Sequence, residues 1–294
     1  MRKQRGMRSI GDRRSVWRWV LPLILLVVGW TCIVLGQSIT VEPMQDWVVA
    51  GAGAEHNGIV DIVNTGEENV TVSVSACDFL FDEQGGFVEL EPGTLGAQSL
   101  ADSLVFAPAD VEISPGDHAQ VRYSFVVPDG DEDSDACRWA ALLITPNPVE
   151  QEMVSEEDQY ITLRTDLVVR FAFSILQQPP EAAAPMAHCS GMTAVGEGTA
   201  DEPCLVIEAS IANDCASILP CSAYFEVYDG TGAVIDRWEF PSDRILLPLA
   251  SRTFEHRFED LDLAPGTYMA LAVFDYGGET LTAGQYRMTI GDSE

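Results

Sequence analysis

An all-β chain of two tandem antiparallel sandwiches is predicted by three observations. Short runs of alternating apolar and polar residues, separated by turn residues, recur from Ile39 to Ile290 without a helical period. The stretch Gln177-Gln178-Pro179-Pro180-Glu181-Ala182-Ala183-Ala184-Pro185 interrupts that series near its middle, with the composition of a semi-rigid interdomain linker. Beyond the apolar N-terminal stretch the cysteines fall in even numbers on its two sides, Cys77 and Cys137 before it and Cys189, Cys204, Cys215 and Cys221 after it. At 294 residues the chain is long enough to bury two separate cores. The expected division is residues 1–38, a first sandwich over 39–176, a linker over 177–185 and a second sandwich over 186–294.

The N-terminus reads as an export signal. Arg2, Lys3, Arg5, Arg8, Arg13, Arg14 and Arg18 precede Trp19–Gly36, an apolar run without a charge, and the small residues Gly36 and Ser38 follow it. The run is also close to the roughly 20 residues that span a bilayer, so a cleaved signal peptide and an uncleaved signal anchor are both compatible with it. Either way the basic side stays cytoplasmic and the remainder is exported. The expected location is the periplasm or the extracellular space, with the inner membrane reached only through this segment if it is retained.

After residue 18 there is no lysine, and nine arginines stand among many aspartates and glutamates. The formal net charge of the whole chain is -30, and the part beyond the basic segment is more acidic still. Such a surface repels nucleic acid and anionic lipid, which removes both as partners.

In the first half the candidate strands are Ile39–Pro43, Trp47–Ala50, Ile59–Val63, Val70–Phe81, Leu104–Phe106, Gln120–Val127, Arg138–Thr145 and Tyr160–Ile175. Val70, Val72, Val74 and Ala76 alternate with Thr71, Ser73 and Ser75, giving one buried and one polar face. Asn64 and Gly66 suit a turn with positive φ, so Ile59–Val63 and Val70–Ala76 read as a hairpin. In the second half the candidates are Leu205–Ala212, Ala223–Asp229, Val234–Phe240, Thr253–Phe258, Thr267–Asp275 and Thr280–Ile290. Asp229-Gly230-Thr231-Gly232 and Asp275-Tyr276-Gly277-Gly278 read as hairpin turns.

An ordered set of short motifs then carries a resemblance. Val63-Asn64-Thr65-Gly66 and Val70-Thr71-Val72 are followed by Asp82-Glu83-Gln84-Gly85-Gly86, Ser99-Leu100-Ala101-Asp102 and Phe106-Ala107-Pro108. Ile113-Ser114-Pro115-Gly116-Asp117, Val121-Arg122 and Val127-Pro128 complete it. Over about residues 39–176 this resembles the N-terminal immunoglobulin-like domain of bacterial periplasmic pilus-assembly chaperones. The resemblance implies two immunoglobulin-like sandwiches and donor-strand complementation, in which the last strand of the first domain lends alternate apolar side chains to an incomplete pilin sheet. It also implies a basic pair in the interdomain cleft. The first strand here, ITVEPMQDWVV, holds no arginine or lysine, and the last strand offers Arg164 and Arg170.

The partner-binding residues expected on that last strand are Leu163, Leu167, Val169, Arg170, Phe171 and Phe173. An ordinary core strand is the competing reading of the same row. The expected partners are exported subunits, pilin-like or envelope proteins, and the rival function is a structural or adhesive envelope module. In the immunoglobulin-like order Cys77 and Cys137 lie at adjacent strand ends, which predicts a disulfide between them. Four cysteines allow three connectivities, of which Cys189–Cys204 with Cys215–Cys221 joins neighbours across short connections. Asp129, Asp131, Asp133 and Asp135 read as a solvated acidic loop, with Ca²⁺ as the alternative. No nucleophile elbow, zinc-binding helix or phosphate-cradling glycine loop is present, so neither an enzymatic activity nor a cofactor is expected.

Overall fold

The computed structural model describes residues 39–128, 136–147, 169–198, 203–242, 244–259, 261 and 263–290. The described residues form strands, turns and two short 3-10 helices, Gly96–Gln98 and Ala101–Ser103, and none forms a helix long and apolar enough to cross a membrane.

The first ten strands are β1 (Ile39–Glu42), β2 (Gln45–Val49), β3 (Glu55–Asn64), β4 (Val70–Phe81), β5 (Phe87–Leu90), β6 (Val105–Ala107), β7 (Asp110–Ile113), β8 (His118–Val126), β9 (Arg138–Pro146) and β10 (Phe171–Gln178). One sheet runs β1-β3-β8-β6 and the facing sheet β2-β10-β9-β4-β5, with β7 also on β4. Then come β11 (Ala187–Gly198), β12 (Pro203–Asn213), β13 (Leu219–Tyr228), β14 (Val234–Glu239), β15 (Arg244–Leu246), β16 (Ser251–Glu259), β17 (Gly266–Asp275) and β18 (Thr282–Ile290). They pair as β11-β12-β16 and β14-β13-β17-β18, with β15 on β13. Much of the wiring repeats. The pairings β3–β8, β4–β9, β4–β5, β4–β7 and β9–β10 reappear as β12–β16, β13–β17, β13–β14, β13–β15 and β17–β18. Both halves are immunoglobulin-like sandwiches.

The alternation of β4 is realised as read, with Val70, Val72 and Val74 buried and Thr71 and Ser75 exposed. The hairpin is not. β3 pairs with β1 and β8, whereas β4 pairs with β9, β5 and β7, so the connection 64–69 steps from one sheet to the other. Neither Asn64 nor Gly66 has a positive φ. The turn is built instead by the Asn64 side chain. Its Oδ1 accepts from the Gly66 N–H at 2.9 Å, and its Nδ2 donates to Glu68 O at 2.7 Å and to Ile113 O at 2.9 Å.

Asn213 does the same at the matching place in the second half. Its Oδ1 accepts from Cys215 N at 3.0 Å, and its Nδ2 donates to Ser217 O at 2.8 Å and Leu247 O at 2.9 Å. Both side chains are buried, where an unmet carbonyl or N–H costs about 1–3 kcal/mol. Asn64→Ala and Asn213→Ala are each expected to lose about 2–4 kcal/mol in urea unfolding, since several such groups are stranded at once. A loss below about 1 kcal/mol would mean that water takes over the role.

Two cores fill the sandwiches. The first gathers Val60, Ile62, Val121, Phe125, Leu142, Phe173 and Ile175, among others. The second gathers Ile207, Ile211, Phe225, Phe254 and Phe274 with their neighbours. A third apolar cluster joins the halves: Cys77, Phe79, Cys137, Trp139, Ala141, Leu143 and Leu176 meet Ile218, Ile245 and Leu247. This explains the unbroken apolar run of β9. Ala140, Leu142 and Ile144 face the first core while Trp139, Ala141 and Leu143 face the second sandwich, so both faces are covered. The junction is also polar at its rim. Thr253 N donates to Glu83 O at 2.6 Å, and the Arg252 guanidinium lies 5.5 Å from the Phe81 ring centroid. Gly85, at φ +83°, leaves room for that guanidinium, since a Cβ there would stand 2.1 Å from Nη2.

The linker starts later than expected. Gln177 and Gln178 belong to β10, and Gln177 is fully buried, its Nε2 donating to Ala50 O at 2.6 Å. The connection between sandwiches is residues 179–186.

Candidate functional site: the open end of the β10 edge

Along β10, Phe171, Phe173 and Ile175 point to the first core and Leu176 to the junction. β9 pairs antiparallel with it from Phe171↔Ile144 to Gln177↔Arg138. On the other side β2 pairs in parallel, but only from Ser174↔Gln45 to Gln178↔Val49. The ladder ends where Ser174 N donates to Met44 O at 3.1 Å. Pro43, next along, has no N–H to continue a ladder, and β1 before it runs in the opposite sheet. Among the described residues, Phe171, Ala172 and Phe173 therefore pair on one side only.

The strand that stops short is pinned from across the sandwich. Asp46 of β2 accepts a hydrogen bond from the Tyr123 hydroxyl of β8 and lies 2.7 Å from Nε2 of His56 on β3. Gly58 on β3 makes this possible, because a Cβ there would stand 2.1 Å from the Tyr123 ring. Burial, and then the bond to Asp46, push the Tyr123 phenol well above its ordinary range, so it stays a proton donor. Sequence reasoning passed over Asp46, His56 and Tyr123. The signal available was Gly58 itself, since a glycine inside a strand marks a close approach.

The residues expected to bind a partner separate in the structure. Val169 is exposed (53%), Phe171 is half-buried, and Phe173 is fully buried against Tyr123, with ring centroids 5.4 Å apart. Phe173 is thus a correction: it belongs to the core and not to a partner-facing row. Arg170 already holds a carboxylate, that of Glu89 on β5. Leu163 and Leu167 lie outside the described residues, as do Asp129, Asp131, Asp133 and Asp135. Among the described residues, no group of three or more His, Cys, Asp or Glu is placed to hold a metal.

Two of the expected disulfides are corrected by register. Cys77 stands opposite Ala141, four residues along β9 from Cys137, or about 13 Å at the usual rise. Cys189 faces Ile211 while Cys204 faces Glu197, at opposite ends of the β11–β12 ladder. Both separations exceed the roughly 7 Å limit between bridged Cα atoms.

No protein-family model matches the chain, and no curated protein matches it. Solved structures do. The matches include structures of pilus chaperones and of their complexes. One is a chain of the CsuC–CsuE chaperone–tip adhesion subunit pre-assembly complex of Acinetobacter baumannii, at 12% identity and TM-score 0.44, over 87% of this chain and all of that one. Another belongs to the Salmonella enterica SafA pilin in complex with the SafB chaperone, at 13% identity and TM-score 0.39, over 87% of this chain and 97% of that one. The Pseudomonas aeruginosa CupB2 chaperone matches at 14% identity and TM-score 0.38, over 85% of this chain and all of that one.

Proposed function

We propose that this chain is an exported, non-enzymatic protein-binding module that offers the open end of β10 to a strand of an exported subunit, in the manner of a pilus-assembly chaperone. The observation that carries the reading is the one-sided ladder at Phe171–Phe173, beside the point where β2 stops. Among the described residues the backbone groups there pair on one side only, and a further strand on the other side would supply affinity, while side chains at alternate positions select the partner. Val169 and Phe171 are the selecting side chains within the described residues. A partner carboxylate reaching Arg170 has to displace Glu89. The sequence resemblance of residues 39–176 points the same way. The partners are pilin-like or envelope subunits, and the place of action is the periplasm or the cell exterior.

A passive envelope module is the second reading. It is favoured by the burial of Phe173 and by the pairing of Arg170 within its own chain.

Val169→Glu separates the two. Wild-type chain immobilised in an envelope extract should retain a subunit identifiable by mass. The variant should retain at least tenfold less while keeping the wild-type circular dichroism, because position 169 is exposed. Undiminished capture by the variant, or no subunit captured by the wild type, leaves the passive module.

A further inference from the structure

The second sandwich has an exposed edge of its own, at β14. Every residue of its sequence VIDRWE is exposed, and among the described residues it pairs only with β13. Val234 (52%), Ile235 (38%) and Trp238 (44%) put apolar area on this edge. Trp238 stacks on His256 of β16, the edge strand of the facing sheet, with ring centroids 4.1 Å apart and planes 5° from parallel. The direction of the backbone follows from the end of the strand. Phe240 N donates to Ala223 O at 2.9 Å, and residues of an antiparallel strand alternate between bonding one neighbour and the other. Trp238 therefore bonds back to β13, while Arg237 and Glu239 turn their N–H and C=O groups outward. Their side chains share the face opposite Trp238. There the Arg237 guanidinium lies 3.9 Å from the Tyr224 ring centroid and donates to Glu226 at 2.8 Å and to Glu239 at 2.6 Å.

Charge restricts what can meet this edge. A net charge of -30 keeps copies of the chain apart over most of its surface. Four of the nine arginines beyond residue 18 fall within residues 234–259, against five aspartates and glutamates, so this stretch is nearly neutral. We propose that β14 pairs with β14 of a second copy of this chain, antiparallel about a two-fold axis at Trp238. In that register Arg237 stands opposite the partner's Glu239, and Glu239 opposite the partner's Arg237. Both are outward-facing pairs, so each exchanges its backbone hydrogen bonds beside a pair of opposite charges. Trp238 meets the partner's Trp238 in the intervening non-hydrogen-bonded pair, where side chains come closest, and the two indoles cover each other. Centring the axis on Asp236 or Arg237 would set like charges face to face, so charge selects the register. The contact is the same on both copies and closes on itself, which removes the open edge.

The test uses the full chain in mild detergent, sized by chromatography with light scattering at micromolar concentration. The wild type should be a dimer. Glu239→Arg and Arg237→Glu each set like charges opposite one another, and each alone should weaken dimerisation about tenfold or more with unchanged circular dichroism. Mixing the two variants one to one restores opposite charges at both pairs and should restore a dimer containing one of each. Trp238→Cys should give a disulfide between copies at position 238 under mild oxidation, located by peptide mass mapping. A monomeric wild type, a dimer that Glu239→Arg leaves intact, or a mixture that stays monomeric overturns the proposal. If Arg237→Glu disturbs the fold through Glu226, the bridge at position 238 decides, and its absence overturns the proposal.

Discussion

Phe173→Glu should leave no folded first sandwich. Phe173 is wholly enclosed in the first core, in ring contact with Tyr123. Losing the ring costs about 3–5 kcal/mol as a cavity, and an unpaired buried carboxylate adds several more. Together these match the 5–15 kcal/mol that holds a typical domain. Circular dichroism and limited proteolysis should show residues 39–178 cleaved as an unfolded chain. Val169→Glu, four positions along the same strand parity but exposed, should look native in the same assays. A Phe173→Glu variant with wild-type melting would remove Phe173 from the core and restore it to the edge.

Trp139→Ala should be nearly as damaging, with its effect spread over both halves. The indole is buried (2%), donates from Nε1 to Phe79 O at 2.8 Å, and sits in the cluster where the sandwiches meet. About 3–5 kcal/mol is expected from the cavity, and the Phe79 carbonyl loses its donor at further cost. Because the cluster couples the halves, its loss should split thermal unfolding into two resolved transitions in calorimetry. A single transition at the wild-type midpoint would mean that the junction contributes little to cooperativity.

The pinning cluster of Asp46, His56 and Tyr123 connects these packing facts to the edge. It fixes where β2 ends and therefore how much of β10 stays open. Among the described residues, the edge lies where the chain changes sheets at Pro43, between β1 and β2.

Much of this was legible in the residues. The alternation of Val70, Val72 and Val74 declared a strand with one buried face, and the Asp229-Gly230-Thr231-Gly232 turn declared the β13–β14 hairpin, with Gly232 at φ 87°. The two-sandwich division followed from strand spacing and the proline-rich break. β11 was not legible. Its sequence AHCSGMTAVGEG has neither alternation nor a β-branched run, and it is a strand because β12 offers a ladder along its length. The junction was also hidden, since the apolar run of β9 shows that both faces are covered without saying by what.

What the sequence determined by itself, then, is local: which segments extend, which face of each is apolar, and where turns fall. Those properties come from side-chain spacing and backbone preference within a few residues. The tertiary structure decided which sheet each strand joins, which residues stand opposite one another, and which parts of an edge stay uncovered. Register depends on contacts between residues far apart in the chain. For that reason Phe173 and Val169, alike in sequence pattern, end in a core and at a surface.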